Sequence, residues 1–98
     1  MKYRVLSPTE KIQRKFHKFL KSITPAKIQD ETMEAIESLA DNPRPLGEPK
    51  IKPPLMVYQY TAQYRLKIGH DRVLYDVDDK NKIVWIFDIR KRDERTYK

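Results

Sequence analysis

At 98 residues the chain has room for one domain, taken to span 1–98. It has no cysteine, which removes disulfide frameworks, thiolate nucleophiles and cysteine zinc sites. Lys plus Arg number 21 against 14 Asp plus Glu, a formal charge of +7, so the first partner to expect is a polyanion. Gly47 and Gly69 stand alone, too few for a phosphate-cradling loop, and a dinucleotide-binding fold is not expected. No apolar run approaches the ~18 residues of a membrane span. The opening Met1 to Pro8 lacks a signal-peptide pattern, so no membrane partner and a cytoplasmic location are expected.

In chain order, Tyr3-Arg4-Val5-Leu6 is rich in strand formers and predicts a short β-strand. Ser7-Pro8-Thr9-Glu10 reads as a helix start, with Ser7 as cap, Pro8 in the first turn and Glu10 completing a capping box. Ile12, Phe16, Phe19, Leu20 and Ile23 then form one stripe of an amphipathic helix over 8–23. Thr24-Pro25 repeats the signal and opens a second helix over 24–42. Its stripe is Ile28, Thr32, Ala35/Ile36 and Leu39, and Asn42-Pro43 ends it. Two such helices joined by a tight turn predict an antiparallel hairpin.

Residues 43–54 hold five prolines and Gly47, and irregular structure is predicted there. Beyond them the period becomes two. Leu66 and Ile68 alternate with Arg65 and Lys67, and Val73, Tyr75 and Val77 alternate with Arg72, Leu74 and Asp76. Asp78-Asp79-Lys80-Asn81 reads as a turn. Lys82 to Ile89 is apolar on both faces, which predicts a strand inside the sheet. Met56 to Thr61 adds at most a short edge segment. The expected fold is α+β in the order βααβββ, an N-terminal strand and helical hairpin packed on a mostly antiparallel sheet.

Charge is distributed unevenly. The first helix carries five Lys/Arg against Glu10, the second carries Lys27 against five carboxylates, and the two suit facing, complementary flanks. The surplus falls on the strands and tail, where Arg90-Lys91-Arg92 and Arg95 are the densest cluster. With Ile83, Trp85, Phe87 and Ile89 turned to the helices, Arg90 and Arg92 project from the other face, which Arg65, Lys67 and Arg72 would share. Cations converging on one face repel one another unless an anion occupies it, and phosphate matches an arginine fork. The competing reading is an ordinary solvated face of an antiparallel sheet.

From Tyr64 onward the chain resembles the RelE/ParE superfamily of bacterial toxins. The resemblance lies in Tyr64-Arg65-Leu66-Lys67-Ile68-Gly69, Arg72-Val73-Leu74-Tyr75, Asp78-Asp79 and the run from Ile89 to Tyr97, with the Pro-rich approach through Pro45-Leu46-Gly47-Glu48-Pro49 also similar. It implies a toxin of a type II toxin–antitoxin system. Of the superfamily's two branches, the RelE-like one cuts messenger RNA on the ribosome and the ParE-like one poisons DNA gyrase. For the RelE-like branch the implied catalytic residues are Lys67, Arg72, Arg92 and Tyr97; Arg65, with Arg90, Lys91 and Arg95 of the basic cluster, is expected to bind phosphate. Arg65 stands where relatives have a lysine and, as a poor proton acceptor, is credited with phosphate binding alone. No metal and no other cofactor are implied. The implied partners are a cognate acidic antitoxin, the ribosome and mRNA, with operator DNA reached only through the antitoxin.

RNA cleavage by the 2′-hydroxyl needs a base, a proton donor for the leaving 5′-oxygen and cations around the phosphorane. Lys67 is the candidate base, Arg92 the donor, and Tyr97 stacks on a base or orients the ribose. His70 falls in a predicted Gly69-His70-Asp71 turn, where a surface role is expected, and His17 lies among helix lysines. Neither has partners at metal-ligand spacing. The alternatives are a gyrase-inhibiting toxin and a non-catalytic RNA-binding module.

Overall fold

A computed structural model describes residues 2–23, 25–45, 50–69 and 71–91. The elements are β1 (Arg4–Leu6), α1 (Glu10–Ser22), α2 (Ala26–Ser38), β2 (Lys50–Val57), β3 (Tyr60–Ile68), β4 (Asp71–Asp78) and β5 (Ile83–Lys91). One sheet runs in the order β1-β5-β4-β3-β2, with β1 parallel to β5 and every other pair antiparallel. The expected α+β layering is present, with β5 between β1 and β4. Four strands follow the helices rather than three. The additional one, β2, starts inside the Pro-rich stretch read as irregular. Its Pro53 and Pro54 fall where the β2–β3 register slips, on an edge strand that tolerates missing N–H donors.

Local signals explain the helix limits. Thr9, not Ser7, caps α1: its hydroxyl accepts the Ile12 N–H at 3.1 Å. Pro25 precedes α2 without a side-chain cap, and Thr24 lies outside the described residues. Gln29 of α2 instead caps the end of α1, its Nε2 donating to the carbonyls of Lys21 and Ile23 at 3.1 and 2.6 Å. Among the described residues no ion pair joins the two helices, so their opposite charges are not spent as facing flanks.

The main core lies between the helices and one sheet face. Phe16 and Leu20 of α1, Ile23 at its C-terminal cap, Ile36 of α2 and Leu39 at its end meet Leu66, Val73, Tyr75, Val84, Ile86 and Ile89. Leu66, Val73 and Tyr75 thus keep the predicted side. On β5 the expectation is overturned. Val84 and Ile86 face the helices, whereas Trp85 and Phe87 join Leu74, Val57 and Ala62 in a second cluster. The cause is a β-bulge. Tyr75 pairs with Ile86 and Leu74 with Asp88, so Phe87 is an extra residue. The bulge resets the alternation, and Ile89 returns to the helix side.

The second cluster is built by the β2–β3 hairpin. Pairing between β3 and β4 covers only Tyr64 to Ile68. Nearer the turn, Tyr60 stacks on Phe87, with ring centroids 5.3 Å apart and planes 12° from parallel. The turn residue Tyr58 has φ +57°, and Gly69 in the β3–β4 turn has φ +59°. Glycine holds that geometry at little cost, while a residue with a Cβ loses about 1–2 kcal/mol.

A polar cluster fastens the linker after α2. Arg44 donates two hydrogen bonds to Asp79, at 3.1 and 2.7 Å, and a third to Tyr64 Oη at 3.1 Å. Tyr3 Oη donates to the same carboxylate at 2.6 Å, and the buried Tyr75 hydroxyl donates to the Pro43 carbonyl at 2.8 Å. The Arg44 bonds, then the Tyr3 bond, hold the Asp79 carboxyl down to about 2 from an ordinary 3.8. A depressed native value stabilises the fold above the unfolded value, and that contribution fades as pH falls from about 4 toward 2. Thermal melts between pH 5 and pH 2 should show a steeper acid limb for the parent than for Asp79→Asn. Removing the buried Tyr75 hydroxyl in Tyr75→Phe should cost about 1 kcal/mol in denaturant melts.

Candidate nucleic-acid interface

Sheet register brings three predicted cations into one row. Lys67 on β3 is directly opposite Arg72 on β4, and Arg72 is directly opposite Arg90 on β5. Flanking residues set the face: Leu66, Val73 and Ile89 point into the helix-side core, so Lys67, Arg72 and Arg90 emerge from the other side. Three strands spaced about 4.8 Å apart place the outer members about 10 Å from each other at the backbone. Like charges directly opposite one another repel across a sheet, and at Arg90 the bond to Asp88 offsets part of that repulsion.

The next row toward the aromatic cluster is Arg65, Leu74 and Asp88. Asp88 holds Arg90: one carboxylate oxygen accepts Arg90 Nε at 2.9 Å and the other accepts the Ile89 N–H at 2.9 Å. The bond uses only Nε, and the terminal guanidinium nitrogens of Arg90 make no hydrogen bond with the described residues. Arg65 shows the complementary condition. Its Nε is buried and has no hydrogen-bond partner among the described residues. A buried donor left in that state costs about 1–3 kcal/mol, which a bound anion recovers.

The predicted residues therefore divide in two. Arg65, Lys67, Arg72 and Arg90 share one face, Lys67 and Arg90 exposed and Arg65 and Arg72 half-buried. Lys91 ends β5 with its backbone opposite Asp71. Arg92, Arg95, Tyr97 and His70 lie outside the described residues. Two features of the face were not foreseen. One is Asp88 as the clamp on Arg90, for which the i, i+2 spacing on a strand was the available signal. The other is the aromatic ground beside the cations, where Phe87 and Trp85, expected on the helix side, join Tyr60. A row of cations next to the half-exposed rings of Tyr60 and Trp85 can hold phosphate and stack bases, the two contacts single-stranded nucleic acid offers.

A family model described as the ParE toxin of type II toxin–antitoxin systems, parDE, matches residues 5–96. No curated protein matches the chain. Among solved structures it is similar to archaeal RelE in the RelE–RelB complex from Pyrococcus horikoshii OT3, with TM-score 0.68 and 24% identity over 96% of this chain and 99% of that one. The toxin–antitoxin complex RelBE2 from Mycobacterium tuberculosis gives TM-score 0.61 and 25% identity over 94% and 93%. An E. coli RelE mutant in the free state gives TM-score 0.61 and 16% identity over 99% and 90%, a likeness of fold.

Occupancy of the row by an anion is directly measurable. Millimolar sulfate should raise the melting temperature of the parent at constant ionic strength, and Arg90→Ala should lose most of that rise. Equal gains in both proteins would show that the row holds no anion.

Proposed function

The chain belongs to the ParE toxin family of type II toxin–antitoxin systems, within the RelE/ParE superfamily, and from the charges on its sheet we propose that it is the toxin arm that cuts messenger RNA on the ribosome. The observation that carries this reading is the Lys67–Arg72–Arg90 row, with Arg65 beside it. Contact with a protein target does not require three cations in register on one face. A scissile phosphate, whose charge grows in the transition state, is stabilised by them.

In the reaction, the ribose 2′-oxygen attacks the adjacent phosphorus and the bond to the 5′-oxygen breaks, leaving a 2′,3′-cyclic phosphate and a 5′-hydroxyl. Lys67 takes the 2′-hydroxyl proton. Arg72 and Arg90 bind the non-bridging oxygens and match the charge that grows on the phosphorane, and Arg65 contributes to phosphate binding. Arg92 protonates the leaving 5′-oxygen, and Tyr97 stacks on the base or orients the ribose. A face with no enclosing wall relies on positioning, which the ribosome supplies by holding the message. The whole chain, 1–98, acts as one toxin domain.

The antitoxin follows from the same charges. An acidic partner that covers the row removes its self-repulsion and blocks RNA together. Two of the similar structures are toxin–antitoxin complexes, which supports a partner of this kind here. Operator DNA is reached only through that partner. No helix among the described residues is long and apolar enough to cross a membrane, and action on ribosomes places the toxin in the cytoplasm.

The ParE description of the matching family model favours a second reading, inhibition of DNA gyrase by protein contact. Induced expression separates the two. Ribonuclease action predicts rapid loss of translation, relieved in a folded Lys67→Ala/Arg92→Ala double variant. Filamentation with DNA damage, unchanged in that variant, is the gyrase result. In vitro, each cation removed from the row should lower the salt slope of single-stranded RNA binding by about 0.7.

A further inference from the structure

A groove of about 490 Å³ lies between α1 and the β2–β3 turn, away from the cation row. Its walls are Lys11, Ile12 and Lys15 on one side and Tyr58, Gln59 and Tyr60 on the other, and among the described residues no carboxylate lines it. Tyr58 is half exposed and sits at the left-handed turn position that glycine fills most readily. Lys15 Nζ rests 5.0 Å from the centre of its ring, a cation–π contact. A bulky aromatic kept in a conformation that disfavours it points to work for the ring.

We propose that this groove is a nucleobase-binding subsite for single-stranded RNA, an inference that rests on the RNA-cleaving reading above. A base stacks on Tyr58 while Lys11 and Lys15 hold the flanking phosphate. Charge supports this occupant. Lys11, Lys15 and Lys18 recur at i, i+4 and i+7 along α1, a like-charge stripe that weakens the helix unless an anion lies along it. Among the described residues none of these three is in an ion pair.

The path to the proposed cleavage site supports it as well. Tyr60, in the groove wall, stacks on Phe87, and β5 rises about 10 Å from Phe87 to Arg90. One strand of RNA can therefore pass from the groove over Tyr60, which covers the buried Phe87, toward the cation row. Gln59 adds an amide able to pair with a base edge. An acidic peptide would satisfy the lysines but would bring no flat ring to stack on the half-exposed Tyr58.

The test titrates the ¹⁵N-labelled full chain with a six-nucleotide oligoadenylate, reading amide shifts. Saturable shifts should appear at Lys11 to Lys15 and at Tyr58 to Tyr60. Tyr58→Gly should bind at least about fivefold more weakly, the loss expected of one stacked base, while melting no lower than the parent. Tyr58→Phe, which keeps the ring, should bind as the parent does. The proposal is overturned by absent binding, by undisturbed groove amides, or by equal affinity in Tyr58→Gly. It is also overturned if a hexaglutamate peptide, and not RNA, shifts these amides. Failure of the groove and failure of the cleavage reading remain separable: the first leaves translation loss and its relief by Lys67→Ala/Arg92→Ala intact. The second leaves oligonucleotide binding at Tyr58 intact.

Discussion

Phe87 is one residue more than β4 can match, and the arrangement of both sheet faces depends on how β5 absorbs it. Before the bulge, Val84 and Ile86 feed the helix-side core; after it, Ile89 does. Without the reset, Ile89 would leave that core and Arg90 would turn into it, at the cost of burying an unpaired charge. The bulge keeps Arg90 opposite Arg72 on the open face and sends Phe87 to the same side, beneath Tyr60. Strand β5 is thus a core strand and a site strand at once.

Charge on that face is held against electrostatic cost. Lys67, Arg72 and Arg90 are direct neighbours, and Asp88, the carboxylate bonded to Arg90, engages only its Nε. Arg65 adds a buried donor with nothing to donate to among the described residues. Stability elsewhere offsets this: a core reaching from Phe16 to Ile89, and the Arg44–Asp79 pair with Tyr3 that ties the linker to the β4–β5 turn. The cation row and the fold's reserve of stability are therefore spatially separate. Substitutions in the row are expected to change binding far more than folding.

Much of this was legible in the residues. Period-two alternation in Leu66/Ile68 and Val73/Tyr75/Val77 identified β3 and β4 and the faces of Arg65, Lys67 and Arg72, because each strand has one apolar side. The same method failed on β5, where both sides are apolar and periodicity carries no orientation; there only pairing with β4 could reveal the extra residue. Prolines concealed β2, since Pro53 and Pro54 argue against a ladder but not against an edge strand with a slipped register. Thr9 displaced Ser7 as cap because the two hydroxyls sit two residues apart on one approach, and propensity does not choose between them. The aromatic ground beside the cations was missed for the same reason as the β5 faces. Arg92 and Tyr97, implied by resemblance alone, lie outside the described residues.

The central claim is that the cation row serves a phosphate under attack by its neighbouring 2′-oxygen. The direct measurement is single-turnover cleavage of a short message on purified ribosomes stalled with an open decoding site, comparing an all-ribose message with one carrying a 2′-deoxy sugar at the scissile nucleotide. The account predicts a 2′,3′-cyclic phosphate and a 5′-hydroxyl from the first and no cut at that position in the second. Cleavage of both messages alike, or of neither, would contradict it.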